Sequence, residues 1–272
     1  MTSRYQRYVA IGDSSTEGLD DPDGRGGYRG WANRLAESIA EQQGSLLYAN
    51  LGVRGRTTRQ IRDEQLPRAL AMQPDLVTLF TGTNDVIRPR FSATVVARDV
   101  EEMQRALIAG GATVLGFTLP DLSEVLPLAR PIAHRVRALN DALRAASAAS
   151  GAILADFARH DVGSDPRLWS EDRLHANAAG HARIAAALAW ALGLPGSDNA
   201  WTEPLPAAPG NVQFADAVRP ASPGVYTITC TRPLVRRRPA AQTAGAGTRH
   251  QLRRPARPSG EAFMTERAPA RS

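Results

Sequence analysis

The chain of 272 residues contains no lysine and a single cysteine, Cys230. One cysteine excludes an intramolecular disulfide, which fits a reducing compartment. All 33 residues in the basic count are arginines, a uniformity that fits codon preference in a GC-rich genome and points to no particular chemistry. Long apolar runs are missing as well. The longest, 184–194, falls well short of the roughly 20 residues that a membrane-crossing helix needs. No apolar segment precedes the first strand-like run, so no signal peptide is expected and the cytoplasm is the expected location. Of the five histidines, His134, His160 and His250 lack the spaced partners of a metal site. No internal repeat shows, and no membrane partner is expected.

The charge is unevenly spread. The net +6 divides into 22 arginines against 23 acidic residues over 1–200, and 11 against 4 over 201–272. The body is therefore close to neutral and the basic excess belongs to the end of the chain. That end also holds ten of the 19 prolines, and only ten of its 72 residues are Leu, Ile, Val or Phe, a composition associated with disorder. The expected organisation is one domain over 1–195 followed by a Pro/Arg-rich, disordered tail over 196–272. An abrupt change of this kind is also what a shifted reading frame would produce. One segment stands out: Val225-Tyr226-Thr227-Ile228-Thr229 alternates like a strand and could add an edge to a sheet. The arginine clusters at 236–238 and 253–254 are the only feature that speaks for nucleic acid, and no nucleic-acid partner is expected.

Over the body, apolar runs alternate with helical patterns. Strands are predicted at 8–11, 46–51, 75–80, 113–118 and 152–155. Helices are predicted at 31–43, 59–72 with a break at Pro67, from Ser92 to the Gly110-Gly111 stop, 131–150, and from an Asn177 cap to Leu192. This alternation implies right-handed crossovers and a mostly parallel five-stranded sheet covered on both faces, a three-layer α/β/α sandwich.

Ser14 ends the first strand in Gly12-Asp13-Ser14, at the sheet edge where α/β proteins bind ligands. The α/β-hydrolase elbow G-x-S-x-G is absent, since position 16 is Thr. A serine nucleophile needs a histidine to take its proton and a carboxylate to orient that histidine. Asp172 and His175, three apart just before the last helix, could supply both. His181 lies inside that helix and is expected to pack or cap. An oxyanion requires donors that are already aimed. The glycine loop at Gly52-Val53-Arg54-Gly55 can offer a bare N–H, and Thr81-Gly82-Thr83-Asn84 brings an amide to the same edge.

Taken together, Gly12-Asp13-Ser14, Asn50-x-x-x-x-Gly55, Gly82-x-Asn84-Asp85 and Asp172-x-x-His175 resemble, in order, the blocks of the SGNH (GDSL-type) hydrolase family. The resemblance covers roughly 5–195. It implies a flavodoxin-like sandwich and an esterase in which Ser14 is the nucleophile, His175 the base and Asp172 its orienting carboxylate. The N–H groups of Ser14 and Gly55 and the Asn84 side chain would form the oxyanion hole, with no cofactor or metal. Two positions depart from the family: Ser15 where Leu is usual, and Ala176 where Pro is common. Both could reshape the rim without removing a reacting group. The loop 119–130, with Asp121, Leu122, Leu126 and Leu128, and the acidic loop after Ser14 are expected to shape the pocket. No long apolar lid is evident, so a small-molecule ester with a short acyl chain is the expected substrate. The alternative is a non-catalytic module that binds an acylated ligand while the basic tail recruits an acidic partner.

Overall fold

The computed structural model describes residues 5–121, 123, 125–206 and the backbone of 225–229. Five strands, β1 (Arg7–Gly12), β2 (Ser45–Asn50), β3 (Leu76–Phe80), β4 (Thr113–Phe117) and β5 (Ile153–Ala155), form a parallel sheet in the order β5-β4-β3-β1-β2. A sixth strand, β6 (Val225–Thr229), adds antiparallel to the outer edge of β2. The one strand-like segment of the tail is thus part of the sheet. The rest of that tail, with Cys230, His250 and both arginine clusters, lies outside the described residues, and so does Leu122.

The connections carry α1 (Ser14–Glu17), α2 (Gly30–Gln43), α3 (Thr58–Glu64), α4 (Leu66–Ala71), α5 (Thr83–Val86), α6 (Ala93–Ala109), α7 (Ala133–Ser150) and α8 (Ala178–Ala191). Helix α2 packs against α8, and α6 against α3 and α7, which gives the two helical layers of a sandwich. The single helix expected over 59–72 is two, because Pro67 sits in the first turn of a new one, α4, where its missing N–H costs no helical bond. Asn177 caps α8 as expected, and Ser92, expected as the start of α6, is its cap, each through its side-chain oxygen. Residues 127–132, partly expected in α7, form a separate 3₁₀ turn containing Pro131. Packing continues beyond 195: Trp201 is buried against Phe157, and Arg167 donates to the carbonyls of Leu205 and Pro206.

β1 pairs with both β2 and β3. The connection leaving β1 (α2) and that leaving β3 (α6) therefore diverge to opposite faces, which opens a crevice at the carboxyl ends of these strands. Every side chain of β3 is buried, as are Val9, Ala10 and Ile11, the near-continuous apolar pattern of strands covered on both faces. Among the described residues no helix is long and apolar enough to cross a membrane.

Candidate active site

Gly12 makes the turn out of β1 possible. A Cβ there would lie 2.1 Å from Thr16 Oγ1 and 2.4 Å from the Phe80 carbonyl oxygen, so only glycine lets β1 turn this tightly against β3. Gln65 locks the turn from below, accepting from the Gly12 N–H at 2.8 Å and donating to its carbonyl at 2.9 Å. Asp13 then caps α1, accepting from the Ser15 N–H at 3.1 Å, and Ser14 becomes the first residue of that short helix.

On the opposite rim, Asn177 holds the segment before α8 by donating to the carbonyls of Arg167 and Trp169, while a bridge pairs Trp169 with Ala176. This tight loop presents His175 to Ser14. His175 Nε2 lies 2.9 Å from Ser14 Oγ, and His175 Nδ1 lies 2.5 Å from Asp172 Oδ2. The other Asp172 oxygen accepts from the N–H groups of Leu174 and His175 at 2.9 and 3.0 Å. Partial burial works against the Asp172 charge. The His175 N–H and imidazole and the Leu174 N–H outweigh it and hold the carboxyl below its ordinary range. Hydroxyl, imidazole and carboxylate therefore form one hydrogen-bonded line, although Ser14 and His175 are 161 residues apart. Such a line can take a proton from a serine and return it to a leaving group.

Asn84 lies on α5, which begins at Gly82 in the left-handed region. Its Nδ2 donates to the Arg56 carbonyl at 3.1 Å and reaches Asp13 Oδ2 at 3.4 Å. Asp85 ties the same turn to α3, accepting from the Thr58 N–H and hydroxyl, both at 2.9 Å. Gly55, at φ +75°, is exposed at the tip of the loop after β2. The neighbouring Arg54 is pinned to Glu17 of α1. Among the described residues the N–H groups of Ser14 and Gly55 donate to no protein acceptor. Burial pushes the Asp13 carboxyl up to about 7, against the Ser15 N–H and His175, which favour its charge.

A cavity of about 270 Å³ opens beside Ser14 and His175, walled largely by Phe80, Phe117, Leu119, Ile132, Phe157 and Ile184. Of the loop expected to shape it, Leu119, Asp121, Leu126 and Leu128 do line it.

A family model described as the GDSL-like Lipase/Acylhydrolase family matches residues 10–183. The chain belongs to this family. As a GDSL-like lipase/acylhydrolase it is a carboxylic ester hydrolase, and the resemblance read from the four blocks holds. Solved structures show the same fold. One titled TesA is 22% identical with a TM-score of 0.58, covering 70% of this chain and 99% of the other. A catalytic mutant of Axe2, an acetylxylan esterase from Geobacillus stearothermophilus, is 16% identical with a TM-score of 0.61, covering 75% and 99%. LAE5, described as an alpha/beta hydrolase enzyme from the metagenome of Lake Arreo, Spain, is 24% identical with a TM-score of 0.54, covering 69% and 95%. No curated protein matches the chain.

Two features of this GDSL-like site had no signal in the residue pattern. One is the aromatic wall, on which Phe80 stacks against Phe117 at 4.2 Å and Phe117 meets Phe157 edge-on. The other is Asp20, which places a carboxylate oxygen within 4.8 Å of both an Asp172 oxygen and a His175 ring nitrogen. Burial was visible in the sequence only as strand and helix periodicity, and neither feature follows from periodicity.

Proposed function

We propose that the chain hydrolyses carboxylic esters with Ser14 as nucleophile, His175 as general base and Asp172 as the carboxylate that orients the imidazole. The observation that carries this reading is the 2.9 Å contact of Ser14 Oγ with His175 Nε2, backed by Asp172 on the other ring nitrogen. Ser14 Oγ attacks the ester carbonyl carbon while its proton passes to Nε2. The imidazolium gives that proton to the leaving alcohol oxygen, which leaves an acyl-serine. Water then attacks the acyl carbon, His175 again takes the proton, and the carboxylic acid departs as Ser14 recovers its hydrogen.

The negative oxygen of each tetrahedral intermediate is assigned to the N–H groups of Ser14 and Gly55 and to Asn84 Nδ2. Asn84 keeps one hydrogen on the Arg56 carbonyl, which ties the amide to the loop that carries Gly55. Its second, 3.4 Å contact with Asp13 is long and easily exchanged for a substrate oxygen.

The acyl group belongs in the apolar cavity. At about 270 Å³, and with roughly 30 Å³ for a water-sized group, the cavity holds a short to medium chain of up to about eight carbons. A p-nitrophenyl ester series on wild type and Ser14→Ala tests both parts. Turnover is expected to peak at or below about eight carbons and to vanish in Ser14→Ala, with a fluorophosphonate labelling Ser14. A preference beyond about ten carbons would overturn the chain length, and an active Ser14→Ala would overturn the nucleophile.

A further inference from the structure

We propose that Asp20 is a second carboxylate partner of the His175 imidazole, a positioning residue that favours the ring while it carries the serine proton. The inference rests on the triad reading above and adds a group to it.

Geometry comes first. Oxygens of Asp20 and Asp172 and a ring nitrogen of His175 all lie within 4.8 Å of one another. Two carboxylates this close repel, and the repulsion is relieved when a positive charge sits between them. An imidazolium is that charge, and it exists only after Ser14 has given up its proton.

Asp20 is also held there at a cost. Its φ of +69° puts a non-glycine residue in the left-handed region, a conformation that persists only where the surroundings over-determine it. The clamps are visible on both sides. Leu19 is fixed by its carbonyl, which lies 2.9 Å from Nε2 of the buried His181. Asp21 is fixed by the Arg34 guanidinium at 2.9 and 3.0 Å. Asp20 itself accepts no hydrogen bond among the described residues, although its charge is also felt by His181. His181, which the chemistry does not use, thereby acquires a function: it anchors the loop that carries Asp20.

The charged and titratable groups around His175 are Asp172 on its own loop, Asp20 after α1, Asp13 at the end of β1, and Arg183 and Asp121 on the cavity wall. Arg183 is turned to the Ala200 carbonyl and Asp121 to Arg137. Asp13 also feels the His175 charge; among the described residues Asp20 is the carboxylate whose oxygen lies within 4.8 Å of both an Asp172 oxygen and a His175 ring nitrogen.

The test is the pH profile of kcat/KM with a short p-nitrophenyl ester, for wild type, Asp20→Asn, Asp20→Glu and the pair Asp172→Asn and Asp172→Asn/Asp20→Asn. Asparagine tolerates the left-handed backbone, so Asp20→Asn removes charge without forcing the loop. Its acid limb is expected to move down by about 0.5–1 pH unit, with the plateau falling about three- to tenfold. Asp20→Glu should restore most of the limb, and the double variant should lose more than the product of the single losses. A limb within 0.2 unit of wild type in a folded Asp20→Asn enzyme whose Ser14 still labels overturns the proposal and leaves the triad standing. Failure of Ser14 to label sinks the triad reading itself.

Discussion

His175 and His181 sit six residues apart on either side of the start of one helix, α8, in opposite chemical settings. His175 has a carboxylate on one ring nitrogen and a hydroxyl on the other. His181 is fully buried. Its Nδ1 accepts from the Trp31 N–H at 3.1 Å, which leaves Nε2 as the protonated nitrogen facing the Leu19 carbonyl. A second proton would have to displace the Trp31 bond, and burial further lowers the affinity for it, against the smaller help of the Leu19 carbonyl and Asp21. A histidine wedged between a main-chain donor and a main-chain acceptor is built to stay neutral, whereas one between a hydroxyl and a carboxylate is placed to pass a proton along a line.

The strongest way to break this contrast is to remove the His175 ring or the hydroxyl it faces. Ser14→Ala and His175→Ala are each expected to lower kcat by about 10⁴-fold or more while leaving the circular dichroism spectrum and melting midpoint intact. Wild-type turnover in either variant would show that this histidine is as structural as the other. Asn84→Ala should cost on the order of 100–1,000-fold in kcat, with KM little changed, as expected for a donor used mainly in the transition state. A loss confined to KM would move Asn84 from the oxyanion to ground-state binding.

His181→Ala turns the comparison round. The buried Trp31 N–H and the half-buried Leu19 carbonyl lose their partner, so denaturant unfolding should register a loss of about 2–4 kcal/mol. Saturating turnover at alkaline pH should fall no further than in Asp20→Asn.

A last check lies in the pH dependence of stability, where two buried groups pull in opposite directions. The depressed His181 leaves the unfolded chain binding more protons below the ordinary histidine value of 6.5, so its contribution is lost as pH falls below that value. Asp13, raised from 3.8 to about 7, binds its proton in the folded state first, so its contribution is full below 3.8 and is lost as pH rises towards 7, by at most about 4 kcal/mol. Urea midpoints between pH 4 and 8 should therefore fall less towards high pH in Asp13→Asn. In His181→Gln they should fall less towards low pH. Unchanged slopes would show that neither burial is felt as a titration.

Much of this was legible in the chain itself. The five parallel strands and the caps at Ser92 and Asn177 follow from periodicity and terminal residues, because those patterns report local geometry directly. Three of the four site blocks could be read because they follow the ends of β1, β2 and β3, which a parallel sheet brings together; the fourth, Asp172 to His175, lies on the loop before α8 and was legible from its spacing to the Asn177 cap. Pro67 hid a restart behind what looked like an interruption, since proline suits a first turn as well as it breaks a later one. The aromatic wall joins Phe80, Phe117 and Phe157 from three separate segments, and the approach of Asp20 to His175 depends on how two loops fold over one another. Neither juxtaposition leaves a trace in spacing.

The antiparallel strand on β2 has a consequence for handling the protein. An open sheet has two margins, and an uncovered one invites a neighbour's backbone to zip on. Here β5 keeps its margin down to three residues, and β6 seals the other. A version cut after residue 206 would keep every group of the candidate site yet bare the six-residue flank of β2, so clumping, rather than loss of turnover, is the fault such a shortened enzyme should show.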